Sequence, residues 1–367
     1  WVFDLKEESV YWCSADVGWV TGHSSIVYAP LAHGATIVIY EGAPDYPAID
    51  RWWDIIEQYG VTIFYTSPTA IKMLMRYGEA WPGKHDLSSL ELLGSVGEAI
   101  NPEPWLWYYQ NIGGERCPIV DTWWQTETGG LMISPAPGIE NILLKPGSAT
   151  FPLPGIDAAV VNEKGAEVAA EERGLLVIRK PWPGMLLGIY GNPERYKKSY
   201  WSTFPGMFYT GDYAIRDRDG YFWLLGRADE VLKIAGHRIG TAELEDAAIS
   251  CPQVAEAVVV SKPHPVKGES IVVFAIPAEG ATPSADLKKE LTNHMRRVVG
   301  SIAKPDEIYF VSQLPKTRSG KVMRRVLKAI ATDSPVGDLS TLEDKTSVDD
   351  VVKSYHASRK ERGREEK

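Results

Sequence analysis

The 367 residues carry 44% hydrophobic and 24% charged content, a length that asks for two or three domains and a composition ordinary for a globular protein. No apolar run approaches the roughly 20 residues that span a bilayer, which argues against a membrane role. A formal net charge of -9, with basic residues gathered only around residues 316–328, argues against a nucleic-acid binder that works through counterion release.

In chain order, residues 35–40 read as a short β-rich run, 49–58 as a helix, 61–65 as a strand and 68–77 as a second helix. A strand at 90–96, a helix at 102–111 and a strand at 118–120 continue the alternation, the pattern of βαβ units and a mainly parallel sheet. Residues 142–213 change to short apolar runs broken by Pro and Gly, such as 158–161 and 174–179, which predicts a small β-rich, barrel-like subdomain. After Asp229 come a helix near 242–249, strands near 254–260 and 271–276, and a basic helix near 285–299, together a compact α+β domain. Beyond Ala331 the chain turns polar and charged, so a weakly ordered tail is expected, with a short surface helix at 348–355. The expected domains are thus 1–141 (α/β), 142–228 (β-rich), 229–330 (α+β) and a tail, 331–367. No internal repeat is apparent.

Cys13, Cys117 and Cys251 are far apart, odd in number and without a CxxC pair, so neither a disulfide framework nor a zinc site is indicated and a cytoplasmic location is expected. The opening residues have no basic segment followed by an apolar run and no initiator Met, which reads as a start inside a longer gene product.

Three clusters carry chemistry. The loop Asp121-Thr122-Trp123-Trp124-Gln125-Thr126-Glu127-Thr128-Gly129-Gly130 follows an apolar strand and combines hydroxyls, an amide, one carboxylate and two indoles. Mg²⁺ takes one or two protein carboxylates and leaves its other positions to water and substrate phosphates, so Glu127 among hydroxyls suits a nucleotide-bound metal. A second loop, residues 94–99, ends a neighbouring strand, and in wound sheets ligands gather at such carboxyl ends. The second cluster is Tyr209-Thr210-Gly211-Asp212 with Arg227 and Arg238, a charged acceptor and two cations suited to ribose and phosphate. The third is the segment 315–322, where Lys321 follows a Ser-Gly turn and offers a compact charge for a developing anion. Alone, each has a plain alternative: a polar loop with buried indoles, a turn aspartate beside solvated ion pairs, a solvated basic surface or weak nucleic-acid patch.

Together, in order and spacing, the segment 11–19, Gly97-Glu98, the segment 121–130, Tyr209-Thr210-Gly211-Asp212, Gly226-Arg227-Ala228-Asp229 and the segment 315–321 resemble the adenylate-forming (ANL) enzymes. Tyr-Trp-Cys-Ser-Ala-Asp-Val-Gly-Trp and Asp-Thr-Trp-Trp-Gln-Thr-Glu-Thr-Gly resemble the acetyl-CoA synthetase branch, and the likeness extends from Val10 to Ile330. The resemblance implies a large α/β domain with a small β-rich subdomain and a mobile carboxy-terminal α+β domain. It also implies ATP-dependent activation of acetate to an acyl-adenylate, followed by transfer to coenzyme A, with ATP, Mg²⁺ and coenzyme A as cofactors.

By the same resemblance, Gly97, Glu98, Ala99, Asp121, Thr122, Trp123, Trp124 and Gln125 would surround the nucleoside. Thr126 would touch the α-phosphate and Glu127 would hold Mg²⁺. Asp212 and Arg227 would bind ribose, Arg238 phosphate, and Lys321 would bridge acyl carboxylate and α-phosphate. Asp229 falls at the family's hinge, while Thr21, Ala235, Gly236 and Arg296 would serve coenzyme A. A tryptophan fills the space a longer acid needs, so Trp124 with Val20, Thr21 and Val96 should leave room for about one methyl group; one extra methylene changes discrimination by about 1–3 kcal/mol. Acetylation of Lys321 would remove its charge, which implies an acetyltransferase and a deacetylase as partners.

Ala99 stands where many of these enzymes have proline and Ala235 where serine is common; both are expected to act through backbone. The Ser/Thr/Gly-rich phosphate loop that the family carries upstream of Tyr11 is absent from residues 1–367, so the chain is not expected to be competent alone. A propionate or other short-acyl ligase and a non-catalytic nucleotide-binding module are the alternatives.

Overall fold

A computed structural model describes residues 1–228, 231–234, 237–317 and 321–365, without the side chains of Val231, Lys233, His237, Arg238 and residues 358–365. Two compact units result, Trp1–Gly226 and Arg227–Lys367.

The first unit is organised by five parallel strands: β1 (Val10–Cys13), β2 (Thr36–Val38), β3 (Ile63–Thr66), β4 (Leu92–Ser95) and β5 (Ile119–Asp121), in the order β2-β1-β3-β4-β5. β3 and β4 are buried at every position, as expected for central strands covered on both faces. Between β1 and β2 run α1 (Val20–Gly22), a π-helical stretch His23–Tyr28 and α2 (Ala29–Ala32). The amphipathic α3 (Arg51–Tyr59) turns its Trp52, Trp53, Ile55 and Ile56 inward and ends on Gly60 in the left-handed conformation. α4 (Pro68–Met75) starts with Pro at its first position behind Ser67, whose hydroxyl accepts from Ala70 N at 3.3 Å. With α5 (Pro102–Trp107) these helices bury one face of the sheet around Trp12, Phe64, Leu93 and Ile119. The other face, bearing Tyr11, Cys13, Tyr65 and Val120, packs with Ile26, Val96 and part of Trp124.

A second sheet in this unit is antiparallel, β6 (Ala158–Val161), β7 (Arg173–Ile178), β8 (Phe208–Arg216) and β9 (Phe222–Arg227), in that order. Single bridges continue it through Thr150–Phe222, Ile133–Pro152 and Trp123–Ile133, which join it to the loop after β5. α6 (Pro193–Tyr200), capped by Asn192, carries Tyr200 onto Phe208 with ring centroids 5.3 Å apart.

The second unit pairs β10 (Val231–Ile234) with β11 (His237–Gly240) and adds β13 (Gly268–Pro277), β12 (Val254–His264) and β14 (Glu307–Phe310). Alternation along β13 sends Ile271, Val273 and Ala275 to the core under α7 (Thr241–Ile249) and α8 (Ala285–Val298), and Val272 and Phe274 to the opposite core. That opposite core is closed by α9 (Arg324–Ala331) and α10 (Thr346–Glu365).

The tail therefore differs from the expected weak order and short surface helix: α10 has 20 residues and buries Val348, Val351 and Tyr355. Average composition hides the reason, which is that Val348, Val351, Val352 and Tyr355 sit at i, i+3, i+4 and i+7, a complete helical stripe. Tyr355 packs on Tyr309 of β14 at 5.1 Å between centroids. Among the described residues no helix is long and apolar enough to cross a membrane.

Candidate active site

The loop after β5 is shaped by its own hydroxyls. Thr126–Thr128 form one 3₁₀ turn, in which Thr128 Oγ1 accepts from Gln125 N at 3.0 Å and lies 2.8 Å from the carbonyl oxygens of Gln125 and Gly130. Gly129 closes the turn at φ +71°, and a Cβ there would lie 2.1 Å from Gly184 O, so only glycine fits. The neighbouring segment holds the turn from outside, with Trp182 Nε1 donating to Thr128 O at 2.8 Å and Leu186 N to Glu127 O at 3.1 Å.

Two side chains of this loop meet Asp212 of β8. Trp123 Nε1 donates to Asp212 Oδ2 at 3.1 Å, and Gln125 Nε2 donates to the same oxygen at 2.8 Å and to Thr210 O at 2.7 Å. Asp212 is buried, and its backbone N–H donates to Thr210 Oγ1 at 3.1 Å. Sequence positions nearly ninety residues apart thus form one polar knot that joins the parallel and antiparallel sheets.

At the carboxyl end of β5, Asp121 and Thr122 are buried. Burial pushes the Asp121 carboxyl up to about 7, against which the Ser95 hydroxyl acts. Thr122 Oγ1 donates to Ser95 O at 2.8 Å and lies 2.7 Å from Tyr65 Oη, so strands β3, β4 and β5 are tied at one level. One strand over, the Ser14 and Thr66 hydroxyls lie 2.6 Å apart, across the point where strand order reverses between β1 and β3. After β4, Gly97 has φ +94° and Glu98 accepts from Thr69 N at 2.7 Å and from the Thr69 hydroxyl. Ala99 follows in the same exposed loop.

The indole of Trp124 packs against both the antiparallel core and the apolar face of the parallel sheet, where Val96 is buried. Val20 and Thr21 are half-buried in α1 and stand outside both clusters. Gly22 beside them is packed so closely that a Cβ would lie 2.4 Å from Asp16 O.

Glu127 Oε1 accepts from Tyr200 Oη at 2.9 Å, and Thr126 is exposed next to it. Among the described residues no three His, Cys, Asp or Glu side chains cluster in a way that would hold a metal by themselves. A single oriented carboxylate beside an exposed hydroxyl fits Mg²⁺ brought in on a polyphosphate, and it does not fit a metal held by protein alone. Tyr200 is the residue that sequence reasoning missed: it lies 73 positions from Glu127, and no spacing rule connects them.

In the second unit, Lys321 is exposed on a hairpin in which Lys316 bridges Val322, Thr317 N donates to Lys321 O at 2.8 Å and Met323 N donates to Pro315 O at 2.8 Å. Arg296 is exposed in the last turn of α8, and Arg227 is exposed at the end of β9. The backbone of Arg238 pairs with Lys233, while its side chain, together with Asp229, Ala235 and Gly236, lies outside the described residues.

Residues 1–190 match the AMP-binding enzyme family and residues 243–321 match its carboxy-terminal domain. The chain is 61% identical over 355 residues to an acetyl-coenzyme A synthetase of Pyrobaculum arsenaticum, covering 97% of this chain and 53% of that protein. It is 54% identical over 360 residues to the one of Rubrobacter xylanophilus, covering 98% and 56%. It spans about half the length of these curated relatives. A crystal structure of the anthranilate CoA ligase AuaEII with anthranoyl-AMP superposes with a TM-score of 0.74 at 29% identity, over 90% of this chain and 61% of that one. With a family model over more than half its length and a solved adenylate-bound relative of the same fold, the chain belongs to the AMP-binding enzymes.

Proposed function

We propose that this chain supplies part of the catalytic machinery of an AMP-forming acetate–CoA ligase. Acetate oxygen attacks the α-phosphorus of ATP and pyrophosphate leaves; the thiol of coenzyme A then attacks the acyl carbon and AMP leaves. Residues 1–141 supply the α/β nucleotide floor, 142–228 the β-rich wall and 229–330 a domain that alternates between the two steps.

The observation that carries this reading is Trp124, an indole wedged between two apolar cores beside Val96 and only two and three residues from Thr126 and Glu127. A wall that large, that close to phosphate-binding residues, selects a very short acid. Two relatives named acetyl-coenzyme A synthetase, at 54–61% identity, support it. In this reading Gly97, Glu98, Ala99 and residues 121–125 line the nucleoside, and Asp212 and Arg227 bind ribose. Thr126 donates to the α-phosphate, and Arg238 and Lys321 bring positive charge to the reacting oxygens. Glu127 would hold Mg²⁺, which when bound would neutralise phosphate charge. Thr21, Ala235, Gly236 and Arg296 serve coenzyme A, and Asp229 is the pivot. The exposed Lys321 is open to an acetyltransferase and a deacetylase, and the setting is cytoplasmic.

The full-length gene product should exchange labelled pyrophosphate into ATP when given acetate. Failure of exchange with acetate, or faster exchange with butyrate, would overturn the reading. Trp124→Gly should move the preference to longer acids.

A further inference from the structure

The hairpin that presents Lys321 is not held by its own hydrogen bonds alone. Its entering arm, residues 312–317, lies against residues 342–350, which comprise the approach to α10 and its first turn, and the two are joined at several points. Ser312 N and Oγ both donate to Asp350 Oδ2, at 2.9 and 2.8 Å. Gln313 Nε2 donates to Thr346 Oγ1 at 3.0 Å. Glu343 N donates to Lys316 O at 3.0 Å, and Thr317 forms a bridge with Leu342.

This segment has its own anchor: Leu342, Val348, Val351 and Tyr355 are all buried in the core formed with β14 and α9. On its other side the arm is fixed by Lys316 Nζ, 2.7 Å from Glu256 of β12. Thr317 N in turn donates to Lys321 O, so the register of the entering arm sets the height of Lys321.

We propose that residues 342–350 are a positioning strap for Lys321, tuned to the adenylation step. The inference rests on the role given to Lys321 above. The physical reason is that an exposed lysine has four rotatable side-chain bonds and no rigid seat of its own, so misplacing its backbone by about 1 Å costs on the order of a hundredfold in rate. A strap that packs into the core on one side and hydrogen-bonds the arm on the other supplies that rigidity without touching substrate.

The test uses full-length protein and separates the two half-reactions. Pyrophosphate exchange reports adenylation, and release of AMP from synthetic acetyl-adenylate plus coenzyme A reports the second step, in which Lys321 has no assigned part. Asp350→Ala combined with Thr346→Ala should lower kcat for exchange at least tenfold, with little change in the KM for ATP and in the second step. Asp350→Asn with Thr346→Ser, which retains acceptor oxygens, should restore most of the exchange rate. Equal loss in both half-reactions, or loss in neither, would overturn the strap. Lys321→Ala is run in parallel: if it leaves exchange intact, the role of Lys321 itself falls, whereas loss with Lys321→Ala and none with the strap variants removes only the strap.

Discussion

Gln125 Nε2 donates to Asp212 Oδ2 at 2.8 Å, on the same oxygen that Trp123 Nε1 reaches at 3.1 Å, so one buried carboxylate oxygen fixes two side chains of the loop after β5. Hydrogen bonds to a charged acceptor contribute about 1.5–3 kcal/mol each, and a buried acceptor left short of donors costs a comparable amount. Trp123→Phe keeps one aromatic ring and removes the donor together with the pyrrole half of the indole. It should lower the melting temperature of the chain and weaken AMP binding by about tenfold, with Gln125→Ala alike in direction. Binding measured by calorimetry at unchanged affinity would show that Asp212 is not held for the nucleotide.

The buried Asp121 makes a pH prediction. Its folded carboxyl titrates at about 7 against 3.8 for the free side chain, so the folded state binds the proton more tightly. Below about pH 4 both states are protonated and the burial is free of charge cost. From about pH 4 the unfolded carboxyl ionises while the buried one stays protonated, so stability from this group falls as pH rises and the loss is complete once pH has passed through about 7. A shift of that size corresponds to up to about 4 kcal/mol at about 1.4 kcal/mol per unit. Asp121→Asn should therefore gain stability relative to the parent progressively between about pH 4 and about pH 7 and hold that gain above it. A difference in melting temperature that stays flat over that range would contradict the cause assigned here.

The parallel sheet is legible in the sequence because apolar runs such as Ile63–Thr66 and Leu92–Ser95 are covered on both faces, and each is separated from the next by a helix-length segment. β1 escapes that reading, since its four residues Val10–Cys13 lie within a segment that attracts attention as chemistry. The α10 stripe escapes for the opposite reason, because four apolar positions are diluted among charges. At the site, the residue types of the loop 121–130 are readable, while the partners that orient them are not. Tyr200 reaches Glu127, Thr69 reaches Glu98 and Asp212 reaches Gln125 only through tertiary approach, and no local pattern encodes such pairs.

Arg324, three residues beyond Lys321, spans both oxygens of Glu245: its Nε donates to Oε1 at 3.1 Å and its terminal nitrogen donates to Oε2, while Val259 N donates to Oε1 at 2.8 Å. Arg324→Ala would leave a buried carboxylate with its main cationic partner gone. The expected cost is about 3 kcal/mol, the lower end for a broken buried pair, because the arginine side chain is 29% exposed. Hydrogen exchange should rise across α7 and β12 and stay unchanged in residues 1–226. Adding Glu245→Gln should recover part of the loss; no recovery would mean that packing of the arginine stem, and not the stranded charge, dominates.

Tyr200 offers the sharpest separation of structure from chemistry in the site. Its ring stacks on Phe208 with planes 9° apart, and only its hydroxyl reaches Glu127. Tyr200→Phe keeps the stack and removes one donor to a charged acceptor, so stability should fall by no more than about 1.5–3 kcal/mol. In the role proposed for Glu127, the carboxylate that loses this donor would regain rotational freedom and have to be reoriented each time metal-bound nucleotide arrived. The predicted result in full-length protein is a several-fold higher Mg²⁺ concentration for half-maximal exchange, with a nearly unchanged maximum at saturating Mg²⁺. Binding of Mn²⁺ with ATP, followed by electron paramagnetic resonance, should weaken by the same factor. A lowered maximum with unchanged metal dependence would instead place Glu127 in the chemical step and detach it from the metal.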